Sequence, residues 1–476
     1  MTNSKKLAPF IILIFTLISC SSDPVNPDID DPEIQDVSIQ DFMWRAMNLW
    51  YYWQSEVFNL NDNIINNNET YIEYLKANPD PETFIESLLF EEDRFTFYSD
   101  DYTELTNTLA GITKSNGLEF GLVLVAEGSD EVLMYTRYTI KGSDAERKGV
   151  QRGDLFNRVN GTVLTTANYV DLLFSDSDSY TLGKTEYVNG NFININEEIS
   201  LTKEVNLAEH PIYLNSIYRI GDKTIGYIMY NAFISGYDND MMSVFDCFQI
   251  NGVNELILDL RYNSGGSTAS ARKIASRIFN ASPGTVFAKQ DWNSKWNAEF
   301  GSSVIDTFDA LRGIGLSRVF ILTETTSASA SELLINGLDP HMQVIQIGDT
   351  TRGKNEFSIT LVDDPQSPNF PYLYRAERVS QINSENSWAL QPLVGRYENS
   401  VGFSEYTTGL VPDIYQSESV LNMGTLGSLT EPLLAKAIEQ ITGVISTGRE
   451  PYFDDLTGTP IEFKRPLMDA TPQTNN

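Results

Sequence analysis

Histidine is nearly missing from this chain: His210 and His341 are the only two in 476 residues. Any acid–base catalysis by this chain is therefore expected to run without an imidazole base, because neither histidine sits in a catalytic motif. His210 precedes Pro211 at a junction between segments, and His341 follows Pro340 on a loop with the character of a surface residue. Cysteine is as scarce, with Cys20 and Cys247 alone. Cys20 lies in a leader segment, so no intramolecular disulfide is expected, and Cys247, between Asp246 and Phe248, reads as a small core residue. No His/Cys/Asp/Glu cluster has metal-ligand spacing, and there is neither a Walker loop nor a strand-linked Gly-x-Gly-x-x-Gly. Neither a metal nor a nucleotide cofactor is expected. Positive charge is also in short supply, with 33 Lys and Arg against 65 Asp and Glu and a formal net charge of −32. That balance argues against nucleic acid as a partner and against electrostatic adhesion to anionic lipid.

What is present is a serine-rich turn. Arg318-Val319-Phe320-Ile321-Leu322 is an apolar, β-branched run, Thr326-Ser327-Ala328-Ser329-Ala330-Ser331-Glu332 follows it, and Leu333-Leu334-Ile335-Asn336-Gly337 is helix-like. The pattern is a strand, a tight small-residue turn and a helix N-terminus. A hydroxyl on such a turn lies beside the free N–H groups of the helix's first turn, which can hold developing negative charge, so the geometry suits acyl transfer. A serine hydroxyl needs a base, and Gly353-Lys354 offers an amine. A lysine of ordinary pKa, about 10.4, is protonated at neutral pH. Burial against apolar walls lowers that value by up to several units, so Lys354 serves as a base only if desolvated. Ser329-x-x-Glu332 also fits a capping box, and Glu332 can cap the helix and fix the turn at once. A second pattern, Ser270-Ala271-Arg272-Lys273, matches Ser-x-x-Lys. It lacks a companion Lys-Thr-Gly and reads as an amphipathic helix with Ala271, Ile274, Ala275 and Ile278 on one face.

The serine turn, the Gly-Lys step and two further blocks resemble those of the C-terminal processing peptidases, also called tail-specific proteases. The middle serine of that family's turn is the nucleophile and its lysine base follows 25 positions later, which the resemblance carries to Ser329 and Lys354. Leu256-Ile257-Leu258-Asp259-Leu260-Arg261-Tyr262-Asn263-Ser264-Gly265-Gly266 is similar to the family's Asp-Leu-Arg-x-Asn-x-Gly-Gly segment. The resemblance implies an oxyanion hole made by the N–H of Ala330 with that of Gly265 or Gly266. Gly409-Leu410-Val411-Pro412-Asp413 is similar to the family's Gly-x-x-Pro-Asp segment. Many bacterial members carry a glutamine four residues after the lysine, where it orients the base, whereas this chain has Ser358 there. Either Ser358, Asn355 or a neighbour takes that task, with Glu332 as a further orienting group, or the lysine is less well positioned and turnover is slow. The alternative is a catalytically weak, peptide-binding lipoprotein that keeps the protease fold, and a hydrolase acting on another carbonyl is a third reading.

The rest of the chain extends this expectation. Lys5-Lys6, an apolar run over 7–18 and Leu17-Ile18-Ser19-Cys20 resemble a lipoprotein signal with a lipidated Cys20, the run being too short to span a membrane. The expected organisation is a signal peptide at 1–19, a disordered Asp- and Pro-rich tether at 20–37, a small helical domain at 38–110, a PDZ-like β-rich domain at 111–205, the peptidase domain at 206–445 and an irregular tail at 446–476. Phe42, Met43, Ala46, Leu49, Trp50 and Trp53 fall at helical spacing in the first of these domains. In the second, Leu118-Glu119-Phe120-Gly121 resembles the PDZ carboxylate-binding loop, and 143–154 its helix and following turn. Such a domain captures a peptide as an added strand with its free C-terminal carboxylate. Strands near 224–229, 255–260, 318–323 and 343–347 alternate with helices near 238–249, 267–280 and 330–338, an α/β arrangement. The resemblance implies a ClpP/crotonase-like α/β core, a location at the cell envelope on a lipid anchor, and peptide or protein substrates bound by a free C-terminus.

Overall fold

The computed structural model describes residues 37–300, 304–443 and 467–470. The signal peptide, nearly all of the tether and Cys20 lie outside the described residues. A six-stranded sheet forms the centre, in the order Ile212–Ile220, Lys223–Tyr230, Glu255–Asp259, Arg318–Thr323, Gln343–Gly348 and Ile414–Tyr415. Its first pair is antiparallel and every later pair is parallel. Parallel strands covered on both faces need apolar residues on both, which is why Leu256, Ile257, Leu258 and Val319, Phe320, Ile321, Leu322 run without alternation. Leu256, Leu258, Val319 and Ile321 meet the helices Asp238–Ile250, Thr268–Ile278 and Ala330–Leu338 through Phe245, Phe248, Ile274 and Leu333. Ile257, Phe320 and Leu322 meet the helix Pro432–Thr442 through Leu433, Leu434 and Ala437. The helix Asp238–Ile250 buries Met241, Phe245 and Phe248, which leaves Cys247 on its exposed face rather than in the core. His341 is not a surface residue either. It is half-buried between Phe279 and Phe308, with ring centroids 5.5 and 5.1 Å away.

A second six-stranded sheet runs Gly265–Ser267, Leu467–Asp469, Glu356–Ser358, Leu393–Asn399, Val286–Trp292 and Val304–Thr307. The tail, read from sequence as irregular, thus supplies a strand of this sheet. The helix Ser38–Trp50 packs against the same layer, where Trp50 stacks on Trp296 at 4.2 Å and donates from Nε1 to Pro371 O at 2.8 Å. The N-terminal helices are therefore continuous with the main core.

The β-rich segment is an antiparallel sheet in the order Leu118–Leu124, Val132–Thr139, Leu155–Val159, Ser179–Val188 and Asn191–Thr202, around its own core of Phe120, Val132, Met134, Phe156 and Leu182. Leu118, Glu119, Phe120 and Gly121 do not form a loop. They open the edge strand, because Leu118 and Phe120 bury alternate side chains and the stretch pairs with Val132–Thr139. The Leu118 N–H is taken by Asn116 Oδ1 at 3.0 Å and the Gly117 N–H by Ser115 Oγ at 3.0 Å. Arg152 joins this domain to the central one by donating to Tyr262 Oη (2.6 Å), Met423 O and the Glu418 carboxylate. Arg261, fully buried, pairs with Asp259, Glu418 and Glu431 at 2.6–3.0 Å, so the arginine of the Asp-Leu-Arg block is a structural hub.

Candidate active site

The strand Arg318–Thr323 ends at the turn and the helix Ala330–Leu338 begins at its far side. Ser329 bridges them with φ 63° and ψ −111°. This left-handed conformation is unusual for a residue with a Cβ and costs about 1–3 kcal/mol, held only by surrounding contacts. Those contacts stitch the turn to the block at 260–263: Thr326 Oγ1 donates to Arg261 O (2.6 Å), Ser327 Oγ to Leu260 O (2.8 Å), Ala328 N to Asn263 O (3.1 Å) and Ser331 Oγ to Asn263 O (2.9 Å). The hydroxyls of Ser327 and Ser331 are thus spent on carbonyls. Ser329 Oγ, fully buried, makes no hydrogen bond. Of the capping box, the carboxylate half has good geometry, with Ser329 N donating to Glu332 Oε2 at 2.7 Å, while the hydroxyl half falls short of a hydrogen bond.

Glu332 is the residue that assembles the site. Its Oε2 also accepts from Lys354 N at 2.9 Å, and its Oε1 accepts from Thr351 Oγ1 at 2.6 Å and Gly353 N at 2.7 Å. One buried carboxylate therefore fixes the backbone of both Ser329 and Lys354. Burial pushes this carboxyl up, the four donated bonds pull it back, and the balance leaves it at about 7. Lys354 is fully buried, with Nζ 5.5 Å from the centroid of the Phe95 ring. Arg94, next to Phe95 in the same loop, donates to Gly353 O at 2.6 Å. Gly353 has φ +85°, and a Cβ there would lie 2.4 Å from Thr407 O. Leu410, in the Gly409-Leu410-Val411-Pro412-Asp413 block, exchanges hydrogen bonds with Thr351, so this block braces the loop that carries the lysine. The Arg352 guanidinium is held below its ordinary range by burial and by Arg94 beside it.

Ser358 stands in the strand Glu356–Ser358, where its Oγ accepts from Gln391 Nε2 at 3.1 Å. Gln391, in turn, accepts from Thr360 Oγ1 at 2.6 Å and is fully buried. A glutamine thus backs the serine at the expected orienting position, but from a strand 33 residues further on. Sequence reasoning missed it because no local pattern marks it. Asn355, the other candidate there, donates to Ser404 O at 2.6 Å.

The two glycines differ. The Gly265 N–H is taken by Asn263 Oδ1 at 2.9 Å, which removes it as a donor to an oxyanion. Gly266 has φ +133°, and a Cβ would lie 2.2 Å from Phe233 O, so only glycine fits. Ala330 opens its helix, and its N–H has no partner within that helix. Both glycines line a cleft of about 460 Å³ that also contacts Lys114, Ser115, Glu119 and Ile140 of the β-rich domain and Phe97 and Leu105 of the N-terminal segment.

Neither histidine reaches this site through its hydrogen bonds: His210 Nε2 pairs with Asp240 at 3.2 Å and His341 Nε2 with Val286 O at 2.9 Å. In the Ser-x-x-Lys match, Ser270 Oγ (2.6 Å) and Lys273 Nζ (2.5 Å) both contact Asp238, which makes it a brace between two helices. Among the described residues no group of three or more His, Cys, Asp or Glu could hold a metal ion. No helix there is long and apolar enough to cross a membrane.

A family model described as Peptidase family S41 matches residues 224–415, and one described as Peptidase S41 N-terminal domain matches 38–97, together just over half of the chain. The "Probable CtpA-like serine protease" of Staphylococcus aureus (strain bovine RF122 / ET3-1) is 25% identical over 228 residues, 46% of this chain and 42% of its own length. That of Staphylococcus haemolyticus (strain JCSC1435) is 26% identical over 236 residues, 49% and 44% respectively. The match spans less than half the length of these curated relatives. An S41 protease structure from Bacteroides fragilis NCTC 9343 superposes with a TM-score of 0.64 at 23% identity, covering 85% of this chain and 97% of that one. The photosystem II D1 C-terminal processing protease superposes with a TM-score of 0.50 at 16% identity, covering 84% and 96%. At those identities the structural likeness is one of fold, and it agrees with the family models: the chain belongs to peptidase family S41.

Proposed function

We propose that this protein is a serine endopeptidase of the C-terminal processing type, with Ser329 as nucleophile and Lys354 as general base. Ser329 Oγ attacks the scissile carbonyl carbon while the neutral Lys354 amine takes its proton. The tetrahedral intermediate collapses to an acyl-enzyme as Lys354 returns the proton to the leaving amine, and water reverses the sequence to free the acid. The N–H of Ala330, with that of Gly266, faces the oxyanion. The observation that carries this reading is the turn itself: its other serine hydroxyls are spent on carbonyls, whereas Ser329 Oγ is not, and Glu332 binds the backbone of Ser329 and Lys354 at once.

The β-rich segment is read as PDZ-like. Its first strand, Leu118–Leu124, lies at a sheet edge, which suits a substrate C-terminus added as a further strand. Cys20 is read as the lipid anchor at the cell envelope. Complete burial of Ser329 favours the alternative, a catalytically weak peptide-binding protein, whereas burial of Lys354 is what a lysine base requires.

The test is labelling by a fluorophosphonate probe together with peptide cleavage. Ser329→Ala and Lys354→Ala should each abolish cleavage, and the double variant should be no worse than either, because the two act as one proton-transfer unit. Near wild-type turnover in Lys354→Ala across pH would remove the lysine from this role, and an unlabelled Ser329 would favour the peptide-binding alternative.

A further inference from the structure

The second sheet contains a strand that chain order does not require. Residues 467–469 lie between Gly265–Ser267 and Glu356–Ser358 and pair in parallel with both. On one side Gly265, Gly266 and Ser267 face Leu467, Met468 and Asp469. On the other, Ser358 faces Asp469, and Ala470 N donates to Ser358 O at 3.1 Å. These flanking strands carry the candidate oxyanion glycine and the serine four residues beyond Lys354. The inserted strand also lies against the helix that begins at Ala330. Two strands that each pair with a third are about 10 Å apart, a slot one extended peptide wide. Removing the tail from that slot would expose two backbone edges beside the candidate nucleophile, which is the arrangement that binds a peptide by strand addition.

The sequence of the tail suits a short insert. In the sequence Pro466 stands just before it and Pro472 shortly after it, and proline has no N–H to donate to a strand ladder. Ala470 is 5% exposed. Its methyl lines a cavity of about 530 Å³ shared with Thr268, Ala269, Phe287, Leu333 and Tyr397. A methyl leaves most of that volume open, so a larger apolar side chain has room at the same position.

We infer that the slot between Gly265–Ser267 and Glu356–Ser358 is a seat for an extended peptide, and that this chain's own residues 467–470 occupy it in competition with substrate. The inference rests on the proposed peptidase reading and deepens it: the tail is a tethered competitor that must leave before an external peptide reaches Ser329. A tethered segment acts at an effective concentration on the order of millimolar, so even weak intrinsic binding blocks most of the molecules.

The experiment uses the full chain, with Met468→Pro, which disrupts the strand, and Ala470→Pro, which removes the N–H donated to Ser358 O. Both variants should raise kcat/KM on a reporter peptide, and the rate of fluorophosphonate labelling of Ser329, by about ten-fold or more. Adding a synthetic peptide of sequence 467–476 should return both rates toward wild type. Unchanged or lower rates in two variants that melt at the wild-type temperature would overturn the inference. If no form cleaves or labels, the peptidase reading falls, and the seat is judged by fluorescence anisotropy of the labelled 467–476 peptide. Tighter binding to the two variants than to wild type upholds the seat, and equal or undetectable binding overturns it.

Discussion

Replacing Glu332 with glutamine separates the two tasks of this residue, burying a titratable group and holding the candidate nucleophile and base together. The glutamine keeps the shape but has one acceptor oxygen, so two of the four donors now on the carboxylate lose their partner. The affected donors are either Ser329 N and Lys354 N or Thr351 Oγ1 and Gly353 N, each buried, at about 1–3 kcal/mol apiece. Either pair lets the turn or the lysine loop drift, and misplacement of reacting groups by an ångström costs on the order of 100-fold. We expect kcat to fall about 10- to 100-fold with KM little changed. The pH dependence gives a second readout with a definite sign. The carboxyl ordinarily titrates at 4.5 and in the folded protein at about 7, so the fold binds the extra proton. Its contribution to stability is complete below pH 4.5 and is lost as pH rises through 7, by about 3 kcal/mol in all. Denaturant unfolding of both proteins at intervals from pH 4 to 8 should yield a difference curve that changes by that amount across this window, other groups cancelling. A flat difference curve, or a variant with wild-type kcat, would refute the argument that one buried carboxylate organises the site.

Three further outcomes follow from the same geometry. Arg261→Met should destabilise the fold by about 3–5 kcal/mol in urea titrations, because Asp259 would be left buried without its cation and Glu418 and Glu431 would share Arg152 alone. Gln391→Leu removes the donor to Ser358 Oγ, so kcat should drop several-fold and the pH profile of kcat should shift while KM holds. A loss of stability with an unmoved pH profile would reduce Gln391 to a packing residue. Amidating the C-terminus of a peptide substrate removes a charge that backbone N–H groups would hold at about 1.5–3 kcal/mol, so apparent affinity should fall about ten- to a hundred-fold. Equal cleavage of acid and amide forms would leave the β-rich domain no part in reading C-termini.

What could be read from the chain alone was whatever is written within a few residues. Continuous apolar runs at 256–258 and 319–322 marked strands buried on both faces, and the run of small residues before Leu333 marked a strand, turn and helix. Such features depend on local sterics and on the period of side-chain burial, and the observed strand Arg318–Thr323 and helix Ala330–Leu338 lie where that reasoning places them. The pairing of Ser329 with Lys354 came from resemblance, since no local rule connects positions 25 apart. Burial patterns misled where one face of an element had to be chosen. Cys247 lies among apolar neighbours yet points outward, because Met241, Phe245 and Phe248 define the buried stripe. Leu118 and Phe120 resemble part of a binding loop in sequence, but alternate burial against Val132 and Phe156 makes them a strand. Tertiary structure alone decided that Gln391 stands behind Ser358, that the Gly265 N–H is taken by Asn263, and that residues 467–469 fill a slot between two strands that each end more than 100 residues earlier. Each of these is a hydrogen bond or strand pairing whose partner is set by the folded backbone rather than by neighbours in sequence, so the residues concerned carry no local mark of it.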